Sequence, residues 1–302
     1  MKNSEIKGIA RRIGTEELDT WIASPMLPSE AEFEDWVEDE TDFVSNIPIK
    51  NLIIFEQNGQ FPGKLAFVHE ETKRLVFLAP AIRDCSHVKS IALSLFHCAI
   101  SEAKTRSIPE LTGIIDNCNE HCDILKDCLL ETGFVEHEQK IIYRRNLKTP
   151  LICKEEKTLE YRSLKELDDE SLKEGQALYY DSSDSLEQFK NKWFSRGKHW
   201  KLVFYEDRLV GLSFLNLNEH VATLDYLAVD PEVQGQGFGN AIFVSALNFA
   251  ISMGATRYID STNTSNTPMI KILEKNGCKK YISRTEYIYY VMSDNLQQKI
   301  NL

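Results

Sequence analysis

The sequence predicts an α/β (α+β) protein of two tandem domains with one fold, each a mixed, mostly antiparallel sheet flanked by helices. Three observations predict it. The length of 302 residues suits two domains, at about 150 residues each. The chain matches itself at an offset of half its length. Strand-like segments come first in the second half and then alternate with helical ones.

The repeat is read without gaps at an offset of 151. Pro80 falls on Pro231, Ile91 on Ile242, Ser94 on Ser245, and Ala99, Ile100 and Ser101 fall on Ala250, Ile251 and Ser252. Thr105 and Arg106 fall on Thr256 and Arg257. Further on the match resumes at an offset of 144, pairing Ile115-Asp116 with Ile259-Asp260, Asn119 with Asn263, Leu129 with Leu273 and Gly133 with Gly277. The first copy therefore carries about seven extra residues, expected as a loop around 107–113. Pro150 and the charged run Lys154, Glu155, Glu156, Lys157 interrupt the apolar pattern as a linker would. The expected domains are 1–148 and 158–302.

In the second copy, residues 159–162 read as a strand and 167–180 and 186–195 as helices, with Ser185 as N-cap of the latter. Residues 200–205, 210–215 and 221–229 form an expected meander, with Glu206-Asp207-Arg208 as a polar turn. Ile242, Phe243, Ala246, Leu247, Phe249 and Ala250 recur at helical spacing, predicting a helix over 239–252. A strand at 257–260, a helix at 269–275 closed by Gly277, and one or two strands over 281–292 complete the outline.

Hydrophobic residues make up 42% of the chain, enough for real cores, so disorder throughout is excluded. No apolar run approaches the roughly 18 residues of a membrane span, and residues 1–5 lack a signal-peptide core. With 35 basic and 46 acidic residues, a net charge of −11 argues against nucleic-acid or anionic-membrane partners. Seven cysteines without an export signal fit the reducing cytoplasm. Cys118, His121 and Cys122, with Cys85 and His87 upstream, lack a well-spaced second ligand pair, so no metal is expected.

The chemistry is expected in Leu227-Ala228-Val229-Asp230-Pro231-Glu232-Val233-Gln234-Gly235-Gln236-Gly237-Phe238-Gly239-Asn240. A strand ends, the chain turns, and a glycine-rich loop opens a long helix. Glycines let the backbone approach a ligand, and the helix N-terminus offers N–H groups and a positive dipole end to a pyrophosphate. A dinucleotide-binding domain would instead place its glycines after the first strand of a βαβ unit.

These residues resemble the GNAT N-acetyltransferase superfamily. Its signature [Gln/Arg]-x-x-Gly-x-[Gly/Ala] is matched by Gln234, Gly237 and Gly239. Its preceding strand triplet is matched by Leu227-Ala228-Val229, and its later segment by Asn266 and Glu274-Lys275-Asn276-Gly277-Cys278. The resemblance covers about 159–292. It implies that acetyl-CoA is the co-substrate, with pantetheine along Leu227, Ala228 and Val229. It also implies that the amides of Gly235, Gln236, Gly237, Phe238, Gly239 and Asn240 hold the pyrophosphate and that Asn266 reaches the pantetheine arm. The implied reaction is direct attack of a primary amine of a small molecule or protein on the thioester. The family's usual tyrosine acid is replaced by Leu273, and two positions where members carry a base map to Thr223 and Ser261. The nearby carboxylates Asp225 and Asp260 are the candidate bases. The repeat favours Asp225, which Arg74 replaces in the first copy, over Asp260, which Asp116 matches. A non-catalytic CoA-binding sensor or interaction module remains the alternative.

In the first copy Arg83-Asp84-Cys85-Ser86-His87-Val88 stand in place of Gln234 to Gly239, and Cys122 in place of Asn266. That copy is expected to keep the fold without binding acetyl-CoA. It is also the more acidic half: 17 basic and 25 acidic residues through Pro150 leave −8 of the −11 there. Eight acids fall within 30–42. They read as a solvated helix face or as a wall drawing in a cationic acceptor. Tyr179, Tyr180, Asp181 and Asp184 are further candidates for selecting a cationic amine.

Overall fold

The structure, a computed structural model, describes residues 8–23, 47–70, 73–83, 86–153, 157–179, 185–195 and 199–291. The acidic run at 30–42, Asp84, Cys85, Tyr180, Asp181 and Asp184 lie outside them. The chain divides into two units, 1–140 with 282–302, and 141–281.

In the first unit come β1 (Ile9–Arg12), α1 (Leu18–Ala23), β2 (Leu52–Gln57), β3 (Gln60–Glu70), β4 (Arg74–Leu78) and β5 (Ala81–Ile82). After them come α2 (Val88–Thr105), β6 (Glu110–Asp116), α3 (Cys122–Glu131) and the start of β7 (Val135–Asn146). The sheet order is β1-β2-β3-β4-β6, antiparallel except for the parallel pair β4/β6. Ile91, Leu95, Phe96 and Ala99 of α2 are fully buried, the stripe that helical spacing dictates. They pack against Phe67, Phe77, Leu111 and Phe134 of the core.

The second unit contains β8 (Glu160–Ser163), α4 (Asp169–Ala177), α5 (Leu186–Ser195), β9 (Trp200–Tyr205), β10 (Arg208–Asn218) and β11 (Val221–Val229). It continues with α6 (Phe238–Ser252), β12 (Arg257–Asn263), α7 (Thr267–Lys275) and the start of β13 (Lys279–Tyr290). Strands β8 to β11 are antiparallel neighbours and β11 pairs with β12 in parallel. Leu172 of α4 packs with Trp200, Leu202 and Phe214, whereas Phe243, Leu247, Ala250 and Leu273 of α6 and α7 pack with Leu224 and Tyr258. The expected cap is present: the Gln188 N–H donates to Ser185 Oγ at 3.2 Å, and the Ser185 N–H to Gln188 Oε1 at 2.8 Å. Phe249, counted in the apolar stripe, is 40% exposed and meets the His199 ring edge-on.

The residues paired by the repeat fall in matching places. Asn119 Oδ1 accepts the His121 N–H at 2.8 Å, and Asn263 Oδ1 accepts the Ser265 N–H at 2.9 Å. Helix α3 ends with Gly133 N–H to Leu130 O and Phe134 N–H to Leu129 O, and α7 with Gly277 N–H to Glu274 O and Cys278 N–H to Leu273 O. The extra residues of the first half do not form a longer loop at 107–113. Helix α2 is 18 residues long against 15 in α6, and β6 begins at Glu110.

The two units do not follow the contiguous division at 148 and 158. Residues 284–290 run antiparallel beside β6, from Arg284↔Asp116 to Tyr290↔Glu110, and so complete the sheet of the first unit. Residues 141–146 of β7 lie beside β12 in the second unit, where Tyr143, Leu147 and Leu151 join the core. Each half thus gives its last strand to the other unit's sheet. Leu151 is anchored there by its N–H to Asn248 Oδ1 at 2.7 Å and by its carbonyl to Asn248 Nδ2 at 3.0 Å. No helix among the described residues is long and apolar enough to cross a membrane.

Arg284 holds the exchanged strand through a buried two-point pair with Asp116, Nε to Oδ1 at 2.9 Å and Nη2 to Oδ2 at 3.2 Å. Removing one partner of such a pair strands a buried charge. Arg284→Ala is expected to cost about 3 kcal/mol in urea unfolding, and adding Asp116→Ala to recover part of it. A single variant as stable as the parent contradicts this role.

Candidate active site in the second unit

Strands β11 and β12 pair only at Val221↔Arg257 and Ala222↔Tyr258. A β-bulge follows. Phe214 faces Tyr226 and Asn216 faces Thr223, so Leu215 of β10 opposes both Leu224 and Asp225. An extra residue bends the bulged strand. The Leu224 N–H donates to the side-chain carboxylate of Asp260 on β12 at 3.2 Å. Beyond it the strands part, and a cleft of about 1050 Å³ opens along Leu227, Ala228 and Val229. In the first unit the corresponding pair stays closed from Arg74↔Glu110 to Leu78↔Ile114, with the Phe77 ring packed on Gly113.

The glycine-rich loop forms the end of the cleft. Asp230 accepts the Glu232 N–H at 3.0 Å and is gripped by Arg208 at 2.9 Å. The Glu232 N–H first, and Arg208 after it, hold the Asp230 carboxyl below its ordinary range. Gln234 Nε2 donates to Val229 O at 3.1 Å and folds the loop back on the strand. Gly235 and Gly237 have φ of 78° and 89°, which a side chain would strain. Gly237 is the N-cap of α6, so the first-turn N–H groups point out along the helix axis, beside the positive end of the dipole.

The cleft gathers most of the residues expected from the sequence: Asp225, Leu227, Ala228, Val229, Gln234, Gly235, Gly237, Gly239, Asn240, Asp260 and Asn266 all line it. Gln236 and Phe238, also expected there, do not line it. The Gln236 side chain donates to Glu232 O at 3.4 Å, and Phe238 is buried edge-on to Tyr205. The Asn240 side chain is structural, its Oδ1 accepting from Asn276 Nδ2 at 2.7 Å. Asn266 caps α7, accepting the Met269 N–H at 3.2 Å, which leaves its amide group to donate. Leu273 is fully buried in the core and takes no part. Sequence reasoning missed Lys271 and Lys275, which line the cleft from one face of α7. Their spacing of four residues was the available signal.

Asp225 and Asp260 differ in setting. Asp225 is exposed in the bulge and accepts from Thr223 Oγ1 at 2.6 Å. Asp260 accepts from the Tyr258 hydroxyl at 2.8 Å, the Ser261 N–H at 2.7 Å and the Leu224 N–H. Burial pushes its carboxyl up to about 7, against the lowering effect of those three donors and with a further push from Asp225. The matching acid of the first unit, Asp116, is instead paired with Arg284. The shared position therefore has different neighbours in the two units, and its match to Asp116 does not mark Asp260 as structural.

Residues 162–278 match the acetyltransferase (GNAT) family model. The chain thus carries a GNAT acetyltransferase domain, and this domain contains the cleft. Among solved structures, it is similar to a GCN5-related N-acetyltransferase from Sphaerobacter thermophilus, at 12% identity and TM-score 0.68, over 95% of this chain and 96% of that one. A tandem GNAT protein from the clavulanic acid biosynthesis pathway matches at 10% identity and TM-score 0.57, over 95% and 99%. A glucosamine N-acetyltransferase region of a fungal multi-domain GH3 β-N-acetylglucosaminidase matches at 12% and 0.66, over 94% of this chain and 38% of that one. At such identities these likenesses show the fold alone. No curated protein matches the chain in sequence.

A carboxyl raised in the folded state binds a proton that the unfolded chain has released, so folding stability falls as pH climbs from the ordinary value of 3.8 to about 7. Melting temperatures of the parent and Asp260→Asn, measured across that window, should diverge in favour of the variant and then run parallel above it. A constant difference contradicts the raised carboxyl.

Proposed function

We propose that the protein is an acetyl-CoA-dependent N-acetyltransferase that acylates a primary amine by direct attack within a ternary complex. The observation that carries this reading is the joining of the parted strands, the left-handed glycine turn and a carboxyl poised near neutrality in one cleft. Acetyl-CoA, when bound, supplies the acetyl thioester. The exposed backbone of Leu227, Ala228 and Val229 suits the pantetheine amides, and the amides from Gly235 to Asn240 suit the pyrophosphate. Asn266 Nδ2 can donate to the pantetheine arm, and Lys271 and Lys275 add positive charge to the cleft.

Asp260, deprotonated, takes one proton from the incoming ammonium, the neutral nitrogen bonds to the thioester carbon as the carbon–sulfur bond breaks, and the surplus proton on nitrogen passes to the departing thiolate. A strand N–H facing the cleft stabilises the charge on the carbonyl oxygen. With Leu273 buried, the thiolate leaves without a side-chain acid at that position. Asp225 is better suited to anchoring the amine. It lines both the cleft and a neighbouring recess of about 250 Å³, floored by Trp200 and Phe214 and walled by Tyr179 and Tyr226. Aromatic faces beside a carboxylate favour a cation.

Thiol release across an amine panel tests the reading; binding without turnover would favour a non-catalytic CoA-binding module. Turnover should rise with pH through about 7. Asp260→Asn should lower it about tenfold or more and flatten the rise while acetyl-CoA binding persists. An unaltered pH profile in that variant removes Asp260 as base. Asp225→Asn should chiefly raise KM for the amine. Calorimetry should find a single equivalent of acetyl-CoA per chain, because the first unit's strands are closed and it lacks both loop glycines. A second equivalent would contradict that.

A further inference from the structure

Just past the end of α7 the second unit has another cavity, of about 580 Å³. Four lining side chains are cations, Arg144, Arg145, Lys279 and Lys280, and none is acidic, in a chain of net charge −11. Among the described residues no carboxylate pairs with Arg145, Lys279 or Lys280. Arg145 Nε is buried without a hydrogen-bond partner. The Arg144 guanidinium lies 3.2 Å from the centre of the Tyr281 ring, which holds its planar fork in place. Like charges around one recess repel each other. An anion with several oxygens relieves it, and the Arg145 fork with two ammonium groups exceeds what a single carboxylate can use. The volume also exceeds a bare phosphate, so the group would arrive on a larger body.

The cavity's position points to that body. Gly277 lines it, and two residues earlier Lys275 lines the acetyl-CoA cleft. Between them Asn276 is tied to Asn240, in the first turn of the helix whose N-terminus suits the pyrophosphate. We infer that this basic pocket binds a phosphate monoester, supplied by the ribose 3′-phosphate of the bound coenzyme. The identity of that source rests on the acetyl-CoA reading above; the phosphate chemistry rests on the pocket alone.

Calorimetry of the full chain at low salt tests it, with CoA and dephospho-CoA as paired ligands. The parent should bind CoA about tenfold more tightly than dephospho-CoA. Arg145→Ala with Lys279→Ala should erase that ratio without weakening dephospho-CoA. Lys279→Gln with Lys280→Gln, both exposed, should narrow it and guards against misfolding of the first variant. Equal affinities for the two ligands, together with a rise in parent melting temperature on adding inorganic phosphate that the variants lack, would keep the phosphate site but assign it to a free phosphorylated metabolite. Parent and variants that respond alike to CoA, dephospho-CoA and phosphate overturn the proposal. If the parent binds neither coenzyme form, the acetyl-CoA reading fails and the phosphate arm alone decides the pocket.

Discussion

The site depends on one event, the parting of β11 from β12 after two paired residues. A parallel pair normally closes its backbone groups against each other. Here the bulge opposite Leu215 turns β11 away, and the Asp260 carboxylate takes up the Leu224 N–H. That exchange has two results. It leaves strand backbone from Leu227 to Val229 facing a cleft, and it draws a carboxylate off solvent beside that cleft. Cofactor platform and candidate base thus arise from the same departure from regular pairing. In the first unit, with β4 and β6 paired along the whole of β4, neither result follows.

The loop that closes the cleft is held as firmly as the strands are open. Arg208, Asp230 and Glu232 clamp its start, Gln234 ties its middle to Val229, and Asn240 and Asn276 bind the first turn of α6 to the end of α7. A site that offers amides to an anion gains from having them fixed beforehand. Both signs of charge line the cleft: carboxylates at Asp225 and Asp260, and the ammonium groups of Lys271 and Lys275. A chain of net charge −11 can attract a highly anionic coenzyme only through such local fields.

Much of this was legible in the sequence because it rests on local rules. Gly235 and Gly237 mark left-handed turns, Ser185 and Gly277 mark helix ends, and alternation marks β11, whose bounds agree with the expected 221–229. Exchange of the last strands was not legible. Period-two patterning shows that 282–290 is a strand but not which sheet edge it meets, and the deciding partners, Arg284 with Asp116, lie 168 residues apart. The environment of Asp260 was hidden for the same reason. Aligned with Asp116 it looked structural, and only the three-dimensional neighbours separate a paired carboxylate from one raised by burial. The bulge at Leu224 and Asp225 gave no sequence signal either, since it is defined by the register of β10.

The central claim is that the parted strand and glycine turn of the second unit, and not their counterparts in the first, receive acetyl-CoA. Hydrogen exchange with and without acetyl-CoA reads this directly. New protection is expected in peptides spanning 224–240 and 263–275, with 74–90 unchanged. Protection of 74–90, or no change over 224–240 at saturating acetyl-CoA, would contradict it.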